Sequence, residues 1–267
     1  AAEFFSGRSR LEPVAHADYE SGRSAAVCPF DLADVRGQRA AKRAIEIAVS
    51  GGHNLLMIGP PGAGKTMLSK CIVSIMPDMT FEEALDVTQI HSVSGDLDPE
   101  QGMVFTRPFR TPHHTTTKPT LIGGGASLRP GEVSLAHNGV LFLDELPEYK
   151  RDTLETLRQP LEDGKVTVSR VAGTVEYPAR FMLVASMNPC PCGNYGSKQQ
   201  KCRCTYNEIK RYMSRISEPL LDRIDLHVEV DGVSYEDISS RGTEESSAAV
   251  KERVNAARAV QRARFEG

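Results

Sequence analysis

An α/β fold, with a mostly parallel sheet and helices on both faces, is what three features of the sequence predict. Short apolar runs recur along the chain, among them NLLMI (54–58), VLFL (140–143) and FMLVA (181–185). Runs apolar at every position belong to strands buried on both sides, which is the condition of a parallel sheet covered by helices. Between them lie segments with apolar residues at helical spacing, so that strands and helices alternate.

The elements follow in order. Residues 1–29 mix Gly, Ser, Arg and Pro without periodicity and read as a linker or the tail of an upstream domain. The main domain is expected over 30–246. In 38–49, Ala41, Ala44, Ile45, Ala48 and Val49 share one helical face, and Gly51-Gly52 stops the helix. A buried strand over 54–58 leads into a glycine-rich turn and a helix through Ile75, which Pro77 ends. Thr80 followed by Glu83 is a capping box and starts a short helix to Leu85. Residues 101–131 are rich in Thr, Pro and Gly, hold no acid, and carry Arg107, Arg110, Lys118 and Arg129; they read as a long insertion with turns. The strand 140–143 ends in Asp144-Glu145, and a helix is expected over 151–161. Residues 166–169 and 174–177 alternate around Gly173 as a β-hairpin. Strands are expected over 181–185 and 224–230. An amphipathic helix with Val250, Val254, Ala257 and Val260 on one side follows over 247–265, cut off at Gly267.

Composition narrows the function classes. With 40% hydrophobic and 25% charged residues the 267-residue chain is not disordered. No apolar run approaches the roughly 18–20 residues of a membrane-spanning helix, so no membrane role is expected. A net charge of −3 excludes a strongly basic, histone-like partner of nucleic acid, while leaving room for local basic patches. The chain starts without Met or a charged-then-apolar leader and reads as an excised piece without a signal peptide. Clustered rather than dispersed cysteines point to a reduced, cytoplasmic compartment.

Gly59-Pro60-Pro61-Gly62-Ala63-Gly64-Lys65-Thr66 matches G-x-x-x-x-G-K-[ST] between an expected strand and an expected helix. Glycines let backbone N–H groups wrap a polyphosphate, and the helix that opens at Lys65-Thr66-Met67 adds its N-terminal partial charge. Lys65 would reach the β- and γ-phosphates of ATP, and the Thr66 hydroxyl would ligate Mg²⁺. Asp144-Glu145 closes an apolar strand at the sheet's carboxyl edge, where Asp144 can hold the magnesium shell and Glu145 can polarise the attacking water. Asn188 follows the strand FMLVASM, and an amide there can position that water. Arg223, at a helix-to-strand junction, could neutralise transition-state charge in a neighbouring subunit, held meanwhile by Asp222 or Asp225. The plainer reading is an Asp222–Arg223 surface pair worth about 1 kcal/mol or less. Arg215 is the weaker candidate.

Cys190, Cys192, Cys202 and Cys204 form paired C-x-C motifs, and two short loops can converge on one tetrahedral Zn²⁺ at ~2.3 Å. With every position filled by protein the site would be structural, and as an insertion it is expected to lie away from the phosphate loop. The alternative is four reduced thiols without a metal. His113-His114 is not expected to bind a metal, because adjacent strand residues point opposite ways and no carboxylate lies near in sequence.

Together these residues resemble the AAA+ ATPases, and more narrowly their magnesium-chelatase-like branch of the competence-protein (ComM/YifB) type. The strings that carry the resemblance are DLADVRGQ (31–38), RPFRTPHH (107–114), LIGGG (121–125), PGEVSLAHNGVLFLDELPE (130–148), NPCPCG (188–193) and RISEPLLDRIDLHVEV (215–230). The resemblance implies an AAA+ P-loop core with a pore-loop-like insertion over 101–131, to which this sequence adds the β-hairpin and a four-Cys insertion over 188–206 that the resembling chelatase subunits lack. It implies a homo-oligomeric, hexameric ring driven by ATP. Gly37 and Gln38 would line the adenine pocket, Asn188 would be sensor 1 and Arg223 the arginine finger. The output it implies is a DNA motor acting in branch migration during natural transformation. A chelatase-type metal-insertion subunit and a Lon-like protein remodeller are the alternatives. A Lon-like domain upstream, and a helical lid downstream with a sensor 2 arginine, are expected outside this sequence.

Overall fold

A computed structural model of the chain describes residues 19, 22, 28–98, 102–124, 128–170, 173–197, 200–232 and 244–265. The linker expected over 1–29 falls almost wholly outside these residues.

Helix α1 (Arg39–Gly51) starts from Gln38 and ends at Gly52, each in the left-handed region, the latter as the glycine pair predicts. Strand β1 (Leu55–Ile58) runs into the phosphate loop, and α2 (Lys65–Ile75) runs out of it. The Thr80–Glu83 capping box is present, but α3 spans Phe81–Ser94 and stops only at left-handed Gly95, so the helix continues well past Leu85. Alternation in the sequence hides that length, because only Ala84, Val87, Thr88 and Ile90 of α3 are buried.

Part of the stretch read as an insertion belongs to the main sheet. Strand β2 (Phe109–Arg110) pairs in parallel with the later strand that ends at Asp144, and two polar-flanked residues are too short a run for periodicity to reveal. Helix α4 (Lys118–Ile122) and a small antiparallel pair, β3 (Gly123–Gly124) with β4 (Arg129–Pro130), complete the segment before α5 (Glu132–Leu135). Strand β5 (Val140–Leu143) is buried at every residue. The helix expected over 151–161 is two pieces, α6 (Arg151–Glu155) and α7 (Arg158–Asp163). Pro160 explains the break, since its ring lacks an N–H and crowds the carbonyl four residues before it. Strands β6 (Lys165–Arg170) and β7 (Gly173–Pro178) form the expected hairpin as a separate two-stranded sheet. Then come β8 (Met182–Met187), α8 (Tyr206–Met213), α9 (Glu218–Leu221), β9 (Leu226–Glu229) and α10 (Ser247–Phe265).

The main sheet is five-stranded and parallel throughout, in the order β2-β5-β8-β1-β9. Successive strand residues serve opposite faces. Leu55, Met57, Val140, Phe142 and Val184 join the core under α1, α2 and α10. Leu56, Leu141, Leu143, Leu183 and Ala185 join the core against the hairpin, α8 and α9. Val250 and Val254 anchor α10, whereas Val260 is exposed, so the apolar side of that helix is shorter than its sequence implies. No helix among the described residues is long and apolar enough to cross a membrane.

Candidate functional site

Because β8 lies between β1 and β5, the turns after all three strands open side by side at the sheet's carboxyl edge. In doubly wound sheets that edge is where ligands bind. The loop after β1 has Gly62 and Gly64 in the left-handed region, at φ 78° and 86°, and nothing stands within 4 Å of where a Cβ would project from either. A backbone so turned exposes its N–H groups to one point, an anion cradle. Lys65, the first residue of α2, is buried, and its ammonium donates to the carbonyls of Gly59 at 2.7 Å and Pro60 at 3.0 Å and to Asn188 Oδ1 at 3.2 Å. Burial pulls the Lys65 ammonium below its ordinary value, against the carboxylates of Asp144 and Glu145, which favour its charge.

Thr66 Oγ1 donates to Asp144 Oδ2 at 3.0 Å. Two oxygens in neighbouring positions of an octahedral Mg²⁺ shell at ~2.1 Å stand about 3 Å apart, so this pair fits that ion. The other Asp144 oxygen accepts from the Ser186 hydroxyl and from the Glu145 N–H. Ser186 is fully buried on β8 and went unnoticed in the sequence, although a hydroxyl in an otherwise apolar strand is a signal that it holds something. Glu145 has φ 54°, an uncommon conformation for a residue with a Cβ, and its exposed carboxylate stands 4.0 Å from His114 Nδ1. No carboxylate lies near the two histidines in sequence. The fold supplies one from the next strand, and the two rings lie 4.0 Å apart in a turn rather than on opposite sides of a strand. Burial raises the Tyr149 phenol, whose hydroxyl donates to the Pro112 carbonyl at 2.5 Å and fixes this turn against β5.

Gly37 and Gln38 stand beside the phosphate loop. The Gln38 amide donates to the carbonyls of Ala63 at 3.2 Å and Asp231 at 2.6 Å, and the Gly37 N–H to Glu244 Oε1 at 2.9 Å. Met67 is exposed in the first turn of α2. Arg223 lies at the opposite, amino edge of the sheet, before β9; neither Asp222 nor Asp225 holds it, and its partner is Glu162 of α7. Arg215 pairs with Glu148 at 2.9 Å.

The basic stretch is largely spoken for. Arg107 donates to the carbonyls of Pro77 and Asn138 and to Glu83, and Arg110 makes two bonds to Glu132 at 2.7 and 2.9 Å. Absence of acids within 101–131 therefore does not mean absence of acidic partners.

The four cysteines converge. Their sulfurs lie within 4.8 Å of one another, with Cys190–Cys192 at 3.4 Å and both Cys190–Cys202 and Cys192–Cys202 at 3.7 Å. Tetrahedral zinc with Zn–S of ~2.3 Å requires sulfurs about 3.8 Å apart, so the spacing fits. Backbone N–H groups of Arg203 and Asn194 favour the thiolate of Cys192, while desolvation pushes the neighbouring Cys204 thiol up. The expectation that this turn lies away from the phosphate loop is overturned: buried Gly193 packs on Pro61, where a Cβ would stand 2.5 Å from the proline Cδ.

Parallel order, phosphate loop and strand-end carboxylates define a P-loop nucleotide-binding core of the AAA+ class. The family model for magnesium chelatase, subunit ChlI, matches residues 31–238, and the chain belongs to that family. It is 50% identical over 232 residues to the protein YifB of Escherichia coli, covering 85% of this chain and 45% of that protein. It is 47% identical over 234 residues to competence protein ComM of Haemophilus influenzae, covering 87% of this chain and 47% of ComM. Similarity to the magnesium-chelatase 38 kDa subunit of Rhodobacter capsulatus is more distant, 26% over 200 residues, with 68% of this chain and 55% of that one covered. The fold matches a chain of the complex between subunits BchI and BchD of magnesium chelatase with a TM-score of 0.56 at 19% identity, over 89% of this chain and 74% of that chain. The chain thus spans about half the length of YifB and ComM.

Proposed function

We propose that this chain hydrolyses ATP to ADP and phosphate, with Mg²⁺, as a subunit of a homo-oligomeric, hexameric ring that moves DNA. The observation that carries the hydrolysis is the meeting of Lys65, Thr66, Asp144, Glu145 and Asn188 at one sheet edge. Thr66 and Asp144 would hold Mg²⁺, whose charge offsets that of the β- and γ-phosphate oxygens. Lys65 exchanges its loop carbonyls for phosphate oxygens. Asn188 orients the water in line with the leaving oxygen. Glu145 swings from His114 to polarise that water. Ser186 fixes the Asp144 carboxylate. Gly37 and Gln38 flank the base, and Arg223 serves a neighbour's site.

Zn²⁺ held by Cys190, Cys192, Cys202 and Cys204 is a structural part of the same reading, supported by the sulfur spacing. DNA as the substrate is supported by the 47% identity to a competence protein, against 26% to a chelatase subunit. With Arg107 and Arg110 held internally, phosphate contact would fall to exposed groups such as Arg129 and to Lys118, which faces the exposed Asp152 at 3.6 Å. The test is ATP turnover and salt-dependent DNA binding of the full-length protein with branched, linear and no DNA. Binding that weakens with salt, and turnover raised by branched DNA, are expected. Turnover indifferent to every DNA would remove the DNA reading, and its absence under all conditions would remove the ATPase.

A further inference from the structure

The four-cysteine turn starts two residues after Asn188, and the end of β8, Asn188 and then the turn itself meet the phosphate loop in succession. The Gly59 N–H donates to the Met187 carbonyl at 3.1 Å, Asn188 Oδ1 receives the Lys65 ammonium at 3.2 Å, and Gly193 lies on Pro61. A Cβ at Gly193 would meet Pro61 Cδ at 2.5 Å and Cγ at 3.0 Å, so one of the two segments would have to move. The sulfur cluster sets where Gly193 stands. Gly193 follows Cys192 directly, its N–H donates to the Cys190 carbonyl at 2.9 Å, and the next turn is tied by the Tyr195 N–H to Cys190 Sγ at 3.3 Å.

We propose that the turn carrying Cys190, Cys192 and Gly193, closed on zinc with Cys202 and Cys204, is a wall of the nucleotide site that positions Pro61 and Asn188, so that nucleotide affinity depends on the metal. This rests on the zinc and nucleotide readings above. A phosphate loop binds through several N–H groups aimed at one point, and an array left free to spread must be ordered when the ligand arrives, which weakens binding. Zinc–thiolate bonds at ~2.3 Å fix the turn, and through Gly193 the turn limits Pro61. Gly193 and the cysteines are positioning residues; none touches the nucleotide.

Two glycines of the same turn separate contact from backbone strain. Gly193 and Gly196 both sit in the left-handed region, at φ 80° and 77°, but nothing lies within 4 Å of where a Gly196 Cβ would project. Zinc content by elemental analysis, melting temperature, and affinity for a fluorescent ADP analogue are measured for wild type, Gly193→Ala, Gly196→Ala and chelator-treated protein. Zinc near one per chain is expected in wild type and in both variants. Gly193→Ala should bind ADP at least about tenfold more weakly with zinc retained, roughly 1.4 kcal/mol, while Gly196→Ala binds as wild type. Chelation should weaken ADP binding and added zinc restore it. Pro61→Ala in the Gly193→Ala background should recover part of the loss, because the pair then no longer collides. Wild-type affinity in zinc-loaded Gly193→Ala, equal losses in the two glycine variants, or unchanged affinity in folded, zinc-free protein would each overturn the coupling while leaving the metal site standing. Zinc-free protein prepared without chelator would overturn both, and wild type that binds zinc but no ADP would instead remove the nucleotide reading and the coupling with it.

Discussion

Glu162, on α7, forms an ion pair with Arg223, which lies in the link between α9 and β9. Arg223 also donates from Nη1 to the Pro219 carbonyl at 2.6 Å, and its buried Nε has no hydrogen-bond partner among the described residues. The guanidinium is thus partly satisfied at home, and a phosphate in an adjacent subunit would have to compete with Glu162. A half-exposed ion pair is worth up to about 1 kcal/mol, or roughly fivefold in rate. In the assembled protein, Glu162→Gln should therefore raise steady-state ATP turnover by up to about fivefold with little change in nucleotide affinity. A fall in turnover like that of Arg223→Ala would mean that Glu162 holds the arginine in its working position instead.

The two ends of the nucleotide site should separate in mutants. Lys65 is buried and bonded to the phosphate loop, so in the proposed mechanism Lys65→Ala would remove a phosphate contact made in the ground state. Glu145 is exposed and in the proposed mechanism acts on the water. We expect Lys65→Ala to lose ATP and ADP binding, and Glu145→Gln to bind both while losing hydrolysis by a factor of about 10² or more. Nucleotide titration beside single-turnover hydrolysis distinguishes them, and equal loss of binding in both would break the division of roles.

Asp31 joins the start of the core to its last helix. Its Oδ1 accepts from the Ala33 N–H at 2.8 Å and from the Ser247 N–H at 2.9 Å, while Ser247 Oγ accepts from the Leu32 N–H at 2.8 Å. The Ala33 N–H first, and the Ser247 N–H next, hold the Asp31 carboxyl below its ordinary value. A depressed carboxylate stabilises the fold above its unfolded-state value near 3.8 and loses that contribution as pH falls through the folded-state value. Asp31→Ala should destabilise by about 1–2 kcal/mol at pH 7, with the gap to wild type narrowing below about pH 4. Urea unfolding at pH 7 and pH 3 measures both numbers; a gap of the same size at each pH would rule out the titrating carboxylate as its source.

What could be read in the sequence follows from range. The phosphate loop, β1, β5 and the Thr80–Glu83 capping box are local patterns, and each stands where its string places it. The neighbours that complete the site come from elsewhere in the chain. Ser186 reaches Asp144 across 42 residues, and Asn188 meets Lys65 across 123. His114 meets Glu145 because β2 pairs with β5, and Gly193 meets Pro61 because β8 pairs with β1. Arg107 and Arg110 looked free because their acids, Glu83 and Glu132, lie outside the basic stretch. Periodicity states which face a residue takes but not which strand will stand beside it.

Arg223 is expected to act in trans. It stands at the amino edge of the main sheet, next to the edge strand β9, while Lys65 and Asp144 stand at the carboxyl edge, so it cannot complete its own site. An arginine supplied by a neighbour stabilises charge that develops in the transition state, worth on the order of 10³-fold or more in turnover and little in affinity. Arg223→Ala should therefore bind ATP nearly as wild type and be almost inactive. In full-length protein, mixtures of Arg223→Ala with Lys65→Ala should regain part of the activity, because some interfaces then pair an intact arginine with an intact phosphate loop. The regained rate should rise and fall with the mixing ratio, with a maximum between the two pure variants. Mixtures that stay as inactive as either parent, although mixed assemblies demonstrably form, would reject action in trans. Arg215, now paired with Glu148 beside the Asp144 turn, would then be the arginine to replace next.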